Sequence, residues 1–255
     1  MQRYVYGIIR TREIVGFDVE GLGSGTPKPE SIPIGDGLAM ITTPFDGEKI
    51  RPSRKNMLAH TRVLEHVMTQ HDVLPMRFGT VLPAEDEGEA ILNAHKQEFQ
   101  KAFEDVEGHR ELSLKVFWKD GVAFREIMEE SEELRTLRDN LAKKDPAQSH
   151  YERIEFGKKV EAQIAAKRAK EADDLKFRIQ HICKKFAEGP INDDVMIANF
   201  SFLVDAEQEA KLDETVNLLD EVHCERLSFR YVGPMPPFSF VELKIDPVNA
   251  TPEPA

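Results

Sequence analysis

Cysteine, tryptophan and long apolar runs are scarce in this chain. Its 255 residues include one tryptophan and two cysteines, Cys183 and Cys224, which have no metal-ligand partner nearby in sequence. Such sparse cysteine use is typical of proteins of the reducing cytoplasm. The N-terminal apolar run is too short for a signal peptide, and no apolar stretch approaches the roughly 18 residues that cross a bilayer. We therefore expect a cytoplasmic protein without a membrane segment.

Catalytic and metal-binding motifs are also missing. His60, His66 and His71 lie on or at the end of one predicted helix, but the spacings of His60 and His66 from His71 do not bring two imidazoles to one metal ion. No residue stands in the arrangement that activates a nucleophile or forms an acid–base dyad. The glycines of residues 21–29 are followed by prolines rather than by a helix that would bind phosphate. We expect no catalytic residue, no metal and no cofactor.

Positive charge is in the minority. Lysine and arginine number 34 against 46 aspartates and glutamates, which gives a formal net charge of −12 at pH 7. This balance disfavours nonspecific binding to nucleic acid, whose phosphates would be repelled, and it favours solubility. Hydrophobic residues make up 40% of the chain and charged residues 31%. That composition is typical of a folded globular protein rather than a disordered one.

The first half of the chain alternates strand and helix patterns. Ser53 is the predicted N-cap of the first helix, and the second helix carries a strong apolar stripe. The pattern predicts an α+β domain at residues 1–110, with helices on one face of a sheet. The elements predicted there are strands at 4–9, 38–45 and 73–82, a helix from Ser53 to about His71, and a helix over 86–106.

The second half repeats this α/β alternation with a helical addition. Residues 111–245 are predicted to form a second α+β domain that carries a helical insertion at about 121–188, interrupted at Pro146. The Lys-, Glu- and Ala-rich part of that insertion should be exposed, as a solvated helix or a protein-binding face. A disordered tail is predicted at 246–255. The other elements predicted here are strands at 112–118 and 195–204 and a helix over 206–222.

Three segments carry a more specific pattern. Residues 226–243 (RLSFRYVGPMPPFSFVEL) predict a strand, a proline-rich turn and a second strand. Residues 4–10 (YVYGIIR) predict an opening strand, and residues 73–82 (VLPMRFGTVL) contain Pro-x-Arg-Phe-Gly-Thr. In this order, the three segments resemble the gas vesicle GvpL/GvpF family, and GvpF more than GvpL.

The resemblance implies a fold and a function. It implies two ferredoxin-like α/β-sandwich domains with antiparallel sheets, the second with an additional α-helical part. It also implies a non-catalytic accessory protein of gas vesicle formation that binds the hydrophobic shell protein GvpA, acts in assembly or is a minor vesicle component, and contacts other accessory proteins. Periodicity alone predicts only two α+β units, and strand order cannot be deduced from one sequence.

Candidate partner-binding residues lie in the signature segments that carry the resemblance. Arginines at alternate strand positions are also ordinary on the solvent face of a sheet, and a proline run is also a rigid turn. Gly79 and Gly233 are predicted to be structural, at a close backbone approach or a turn that needs positive φ. The candidates are Arg77, Phe78, Arg230, Tyr231, Pro236, Pro237 and Phe238.

Two other functions stay open from the sequence. Two α+β domains can bind a small ligand and act as a regulatory module, which ligand-induced thermal stabilisation would reveal. An enzyme would require a deep pocket with convergent polar groups of perturbed pKa.

Overall fold

A computed structural model describes residues 2–23, 25–47, 50–82 and 87–243 of the chain. These residues divide into two compact units. Unit 1 comprises the described residues up to Glu111 together with residues 234–243, and unit 2 comprises Leu112–Gly233. The first boundary lies one residue from the predicted one, but residues 234–243 group with the first unit, whereas the sequence placed them in the second. The tail predicted at 246–255 lies outside the described residues.

Unit 1 is built on an antiparallel sheet with the strand order β2-β3-β1-β4, and β5 also pairs with β1. Helix α1 connects β3 to β4, which run parallel to each other on opposite sides of β1, so these elements form a split βαβ unit. The elements of this unit are β1 (Arg3–Arg10), β2 (Glu30–Gly35), β3 (Leu38–Pro44), α1 (Arg54–Val67), β4 (Val73–Pro75), β5 (Val81–Leu82) and α2 (Glu87–Val106).

Strand β1 is the centre of this unit. Tyr4, Tyr6 and Ile9 share a core with Val63 and Leu64 of α1. The alternate side chains of β1 are buried as well, so apolar contacts cover both faces of the strand, whereas the sequence predicted helices on one face only. The predicted cap of α1 is confirmed, because the Ser53 hydroxyl accepts a hydrogen bond from the Asn56 N–H.

Two strand assignments in unit 1 needed tertiary information. Strand β2 was not predicted, because the sequence predicted a loop at residues 21–29 and no strand between residues 9 and 38. Pro33 is tolerated because β2 is an edge strand, where a missing N–H breaks no second ladder. The single strand predicted at 73–82 is wrong: β4 and β5 are separate, and a tight turn lies between them.

Unit 2 has a sheet with the order β7-β8-β6-β9. Strand and helix follow each other as β-α-β-β-α-β, with three helices in the first connection, which is the element order of a ferredoxin-like motif. Mixed α+β architecture with two antiparallel sheets is thus confirmed, and the ferredoxin-like name stays a prediction. The elements are β6 (His109–Trp118), α3 (Val122–Glu130), α4 (Glu132–Ala142), α5 (His150–Ile179), β7 (Lys185–Glu188), β8 (Met196–Asp205), α6 (Ala206–His223) and β9 (Leu227–Met235).

The helical insertion is shorter than predicted. Its helices end at Ile182, after a 3-10 turn, and residues 185–188 form β7. Phe186 fitted a helical stripe in the sequence, but it packs on Phe200 and Phe202 of the neighbouring strand β8. Pro146 does separate α4 from α5, as predicted.

The proline-rich segment also differs from the prediction. Strand β9 continues through Gly233 and Pro234 to Met235, because it is an edge strand that can accommodate proline. Turns follow at 238–240, and residues 241–243 form no second strand.

Helix α5 is long and mostly exposed. Its 30 residues extend for about 45 Å at the usual helical rise. Only Leu175 and Ile179, near its C-terminal end, are buried. The exposed helix predicted from the Lys/Glu/Ala-rich composition is therefore confirmed.

We expect Gly157→Ala to raise the free energy of unfolding by about 1 kcal/mol. Gly157 is exposed inside α5, and an added Cβ would meet no atom within 4 Å, so the substitution only reduces the entropy of the unfolded chain. Gly121→Ala is a matched control, because its surroundings are equally open but its φ is +71°. That variant should be destabilised. Urea denaturation of both variants measures the difference, and a loss of stability in Gly157→Ala would contradict the expectation.

Candidate functional site

The Pro-x-Arg-Phe-Gly-Thr segment is a turn rather than a strand. The Arg77 carbonyl accepts hydrogen bonds from both the backbone N–H and the hydroxyl of Thr80. Gly79 has a φ of +92°, as its predicted structural role requires. Phe78 is half-buried against the core, and Arg77 is exposed.

A buried polar network joins this turn to the first signature segment. The Tyr4 hydroxyl lies 2.8 Å from Nδ1 of His60 and accepts a hydrogen bond from the Gly79 N–H at 3.1 Å. The other imidazole nitrogen, Nε2, lies 3.2 Å from the Met76 carbonyl. Because a carbonyl only accepts, Nε2 carries the proton and Nδ1 accepts from Tyr4. Residues 4–10 and 73–82 are thus joined by one buried hydrogen-bond network through His60.

His60 is held in its neutral form by this network. Burial lowers its pKa to about 4, and the hydrogen bond to the Met76 carbonyl opposes that change. Burial also raises the pKa of Tyr4 and of Tyr6. In the sequence analysis His60 was considered only as a metal ligand, and its partners could not be found there because they lie 56 and 16 residues away.

Unit 1 is expected to lose about 2 kcal/mol of stability between pH 7 and pH 5 through His60. Below its ordinary pKa near 6.5, His60 binds a proton in the unfolded chain but not in the folded one, so stability falls as the pH falls from 6.5 towards 4. His60→Gln should remove this part of the pH dependence, measured by urea denaturation at both pH values. The exposed His150→Gln variant should keep it, and equal pH dependence in all three proteins would refute the assignment.

The strand part of the C-terminal signature is anchored in unit 2. The guanidinium of Arg230 lies 4.5 Å from the ring centre of Phe117, and its side chain remains exposed. The Tyr231 hydroxyl donates to Asp213 on α6 at 2.7 Å. Burial and this carboxylate raise the pKa of Tyr231.

The proline part of the signature belongs to unit 1. Pro236 and Pro237 are buried, and Phe238 is partly exposed. Glu111, only 2% exposed, accepts hydrogen bonds from the backbone N–H and the hydroxyl of Ser239 at 2.8 and 2.6 Å. The sequence analysis missed this carboxylate, because Glu111 and Ser239 are 128 residues apart.

The candidate residues therefore fall into two groups. Phe78, Tyr231, Pro236 and Pro237 pack or hydrogen-bond inside their own units, while three candidates keep solvent-accessible side chains. The partner-binding role of all seven stays a prediction. The three accessible candidates are Arg77, Arg230 and Phe238.

An ionic cluster in unit 2 connects helices α3 and α5 with strand β6 and with the residue that precedes β9. Arg226 donates to both carboxylate oxygens of Glu126, at 2.5 and 2.6 Å, and to Glu171 at 2.7 Å. Lys167 lies 3.1 Å from Glu126, and the Trp118 indole N–H donates to Glu171 at 3.0 Å. Arg226, Lys167 and Glu171 of this cluster line a cleft of about 440 Å³. The charges of these three side chains are already paired within the protein.

An apolar groove lies between the C-terminal end of α5 and helix α6. One wall is lined by Phe177, Arg178, Gln180 and His181, and the other by Thr215, Leu218 and Leu219. Phe177 is 77% exposed and Leu218 is 58% exposed, and Val222, one helical turn beyond Leu218, is 68% exposed. Large apolar side chains exposed side by side are typical of a protein-binding surface. We call this surface the α5–α6 groove.

Metal-binding geometry is absent from the described part of the chain, where no three His, Cys, Asp or Glu side chains are placed to hold an ion. Within the same ranges no helix has the length and apolar character needed to cross a bilayer. Cys183 follows the 3-10 turn and is half-buried against the core of unit 2. Burial raises the pKa of its thiol, which disfavours the reactive thiolate.

The sequence and the structure of the chain are both similar to those of known proteins. Residues 2–242 match the model of a family described as gas vesicle synthesis protein GvpL/GvpF. The chain is 28% identical to gas vesicle protein F of Dolichospermum flosaquae over 94% of this chain and 97% of that protein. It is 23% identical to gas vesicle protein L1 of Halobacterium salinarum over 93% of this chain and 89% of that protein. The crystal structure of GvpF from Microcystis aeruginosa is similar with a TM-score of 0.77 and 25% identity, covering 95% of this chain and 99% of that one. The crystal structure of GvpF from an Anabaena species is similar with a TM-score of 0.82 and 26% identity, and the match covers 96% of this chain and 99% of that one.

Proposed function

Since the chain belongs to the gas vesicle synthesis protein GvpL/GvpF family, as its three signature segments predicted, we propose that it is a non-catalytic accessory protein that binds the hydrophobic shell protein GvpA. Membership makes it a protein of gas vesicle formation. The finer proposal is that it covers GvpA in the cytoplasm and delivers it to the growing vesicle, where it acts in assembly or remains as a minor component.

The observation that carries this proposal is the exposed apolar surface on the helices of unit 2. Phe177, Leu218 and Val222 are each more than half exposed, although an isolated protein would gain stability by burying them. A small hydrophobic shell protein aggregates unless its own apolar surface is covered before it polymerises. The α5–α6 groove offers a complementary surface for such a subunit.

The net charge supports the same role. At −12 the chain repels other copies of itself, so a complex with an apolar subunit would stay dispersed. Arg77, Arg230 and Phe238, the accessible signature residues, are proposed as further contacts with the shell protein or with other gas vesicle accessory proteins.

Co-expression of the full chain with GvpA tests the proposal. Affinity capture should recover a soluble complex, and washed vesicles should then be examined for the chain. Capture with retention would identify a component bound to the shell, and capture without retention an assembly chaperone. Failure to capture GvpA would refute direct binding of the shell protein.

A small-ligand regulatory role has one observation in its favour, the cleft beside Arg226. Thermal stabilisation of the purified chain by a small molecule would support it. The internal pairing of Arg226 and Lys167 with Glu126 and Glu171 makes the cleft a weaker candidate than the α5–α6 groove.

A further inference from the structure

We infer that helix α1 of one copy of the chain binds helix α6 of another copy, through a row of cations on α1 and a row of carboxylates on α6. Both rows lie on exposed helix faces, and the charge of each face complements that of the other. The inference goes beyond the proposed function, in which the partner is a different protein.

The basic row lies on the outer face of α1. Residues 51–62 contain four lysines and arginines and no aspartate or glutamate, although the net charge of the chain is −12. Lys55 and Arg62 are exposed and seven residues apart, which places them about 10 Å apart along one side of the helix. Neither has an ion-pair partner among the residues that the structure describes. Leu58, 46% exposed, lies between them on the same face. This face is therefore an unpaired basic surface with an apolar centre.

The acidic row lies on the outer face of α6. Glu207, Glu214 and Glu221 are exposed and follow one another at intervals of seven residues. Successive carboxylates are therefore about 10 Å apart along one side of the helix, the same spacing as from Lys55 to Arg62. Within the described ranges none of the three has an ion pair. Two such helices laid side by side can pair successive cations with successive carboxylates.

A second copy is the partner because the complementary surface is present on the chain itself. Every copy carries this acidic helix, with an exposed leucine, Leu218, between Glu214 and Glu221 as a counterpart to Leu58. The net charge of −12 repels copies at a distance, but at physiological ionic strength exposed charges more than about 8 Å apart are largely screened. Charges that meet in a contact are screened much less. Copies therefore attract each other only where the two rows meet.

The contact joins unlike surfaces, so each added copy leaves a basic face and an acidic face free for further copies. Two helix faces bury less area than the roughly 1,600 Å² of a standard stable interface. The association is therefore weak and depends on concentration. Leu218 also lines the α5–α6 groove, so a neighbouring copy on α6 competes with a shell protein in that groove.

Sedimentation equilibrium of the purified full chain in about 0.15 M salt tests the inference. The weight-average mass of the wild type should rise above that of the monomer as the concentration increases. The basic-row variant, Lys55→Glu with Arg62→Glu, and the acidic-row variant, Glu214→Lys with Glu221→Lys, should each raise the dissociation constant at least about tenfold. The acidic-row variant makes the chain less negative, which by itself would favour association. All four side chains are exposed, so both variants should fold, which circular dichroism checks.

An equimolar mixture of the two variants separates complementary pairing from a general effect of charge. The acidic α1 of the first variant meets the basic α6 of the second, and the unchanged faces match as well, so association should return in the mixture. Arg125→Glu with Lys170→Glu is the matched control. Both residues are exposed, lie outside the two rows and have no ion pair in the part of the chain that the structure describes. This control should associate like the wild type.

A wild type that stays monomeric at every concentration, or a mixture of the variants that stays monomeric, would overturn the inference. Capture of co-expressed GvpA by the basic-row variant is measured beside these samples. No residue of α1 lines the α5–α6 groove, so this variant should capture GvpA as the wild type does. Failure of self-association and failure of shell-protein binding are thereby distinguished.

Discussion

Gly7→Val is expected to lower the free energy of unfolding by about 3 kcal/mol, the upper end of the usual cost of overpacking. A Cβ at Gly7 would stand 2.7 Å from the Leu74 carbonyl oxygen, 2.9 Å from Val73 Cγ2 and 3.0 Å from Leu64 Cδ2. The nearest atom is backbone of β4, which pairs with β1 at this point. It can move only if the ladder or the packing of α1 is disturbed, so the cost cannot be relieved by a side-chain rotation.

Gly16→Val is the control for this substitution. Gly16 belongs to the same unit, but an added Cβ there meets nothing within 4 Å and its φ is not positive. Its unfolding free energy should change by less than about 0.5 kcal/mol. Urea denaturation followed by circular dichroism measures both variants. Equal stability of Gly7→Val and the wild type would mean that β4 and α1 approach β1 less closely than the structure has them.

Arg226→Met is expected to cost about 3 kcal/mol, because it leaves Glu126 and Glu171 partly buried with too little positive charge. The side chains of both carboxylates are only 15% and 16% exposed. Arg226 and Lys167 lower the pKa of Glu126 to about 2. The stability from this pairing is therefore complete above the ordinary carboxyl pKa near 4.5 and is lost as the pH falls towards 2.

The single tryptophan makes this experiment specific to unit 2. Trp118 donates its indole N–H to Glu171, so its fluorescence reports unfolding at the cluster. Lys158→Met is the matched control in the same unit, since it breaks the Lys158–Glu155 ion pair, whose side chains are 66% and 42% exposed. Such surface pairs contribute from 0 to about 1 kcal/mol. Similar losses in Arg226→Met and Lys158→Met would contradict a buried role for the cluster.

Short sequence patterns predicted the helices that begin at a capping residue and bury apolar residues at helical spacing. Helix α6 begins at a capping residue, Asp205, and carries its buried residues at helical spacing, and the Ser53 cap of α1 is a pattern within four residues. Edge strands were harder. Strand β2 contains a proline, and β7 continues a helical spacing of apolar residues, so both depend on neighbours that no local pattern reveals.

The candidate site shows the same division. Phe78, Tyr231 and the two buried prolines were identified by their position in signature segments, but their partners could not be predicted. Tyr231 contacts Asp213 and the turn containing Phe78 contacts Tyr4, pairs that only the fold brings together. The α5–α6 groove gave no correct signal in the sequence. Helical spacing predicted Val222 on the inner face of α6 with Leu212, Val216 and Leu219, and this is wrong for Val222, which is 68% exposed.

The division of the C-terminal signature between the two units has a consequence for synthesis on the ribosome. Domains usually fold in the order in which they emerge, and the sheet of unit 1 emerges first. Its Ser239, however, is translated 128 residues after Glu111, to which it donates two hydrogen bonds. The first unit can therefore reach its final form only when nearly the whole polypeptide has been made. Premature termination would leave both units incomplete, so a shortened product would be exposed to proteolysis rather than accumulate as a folded half.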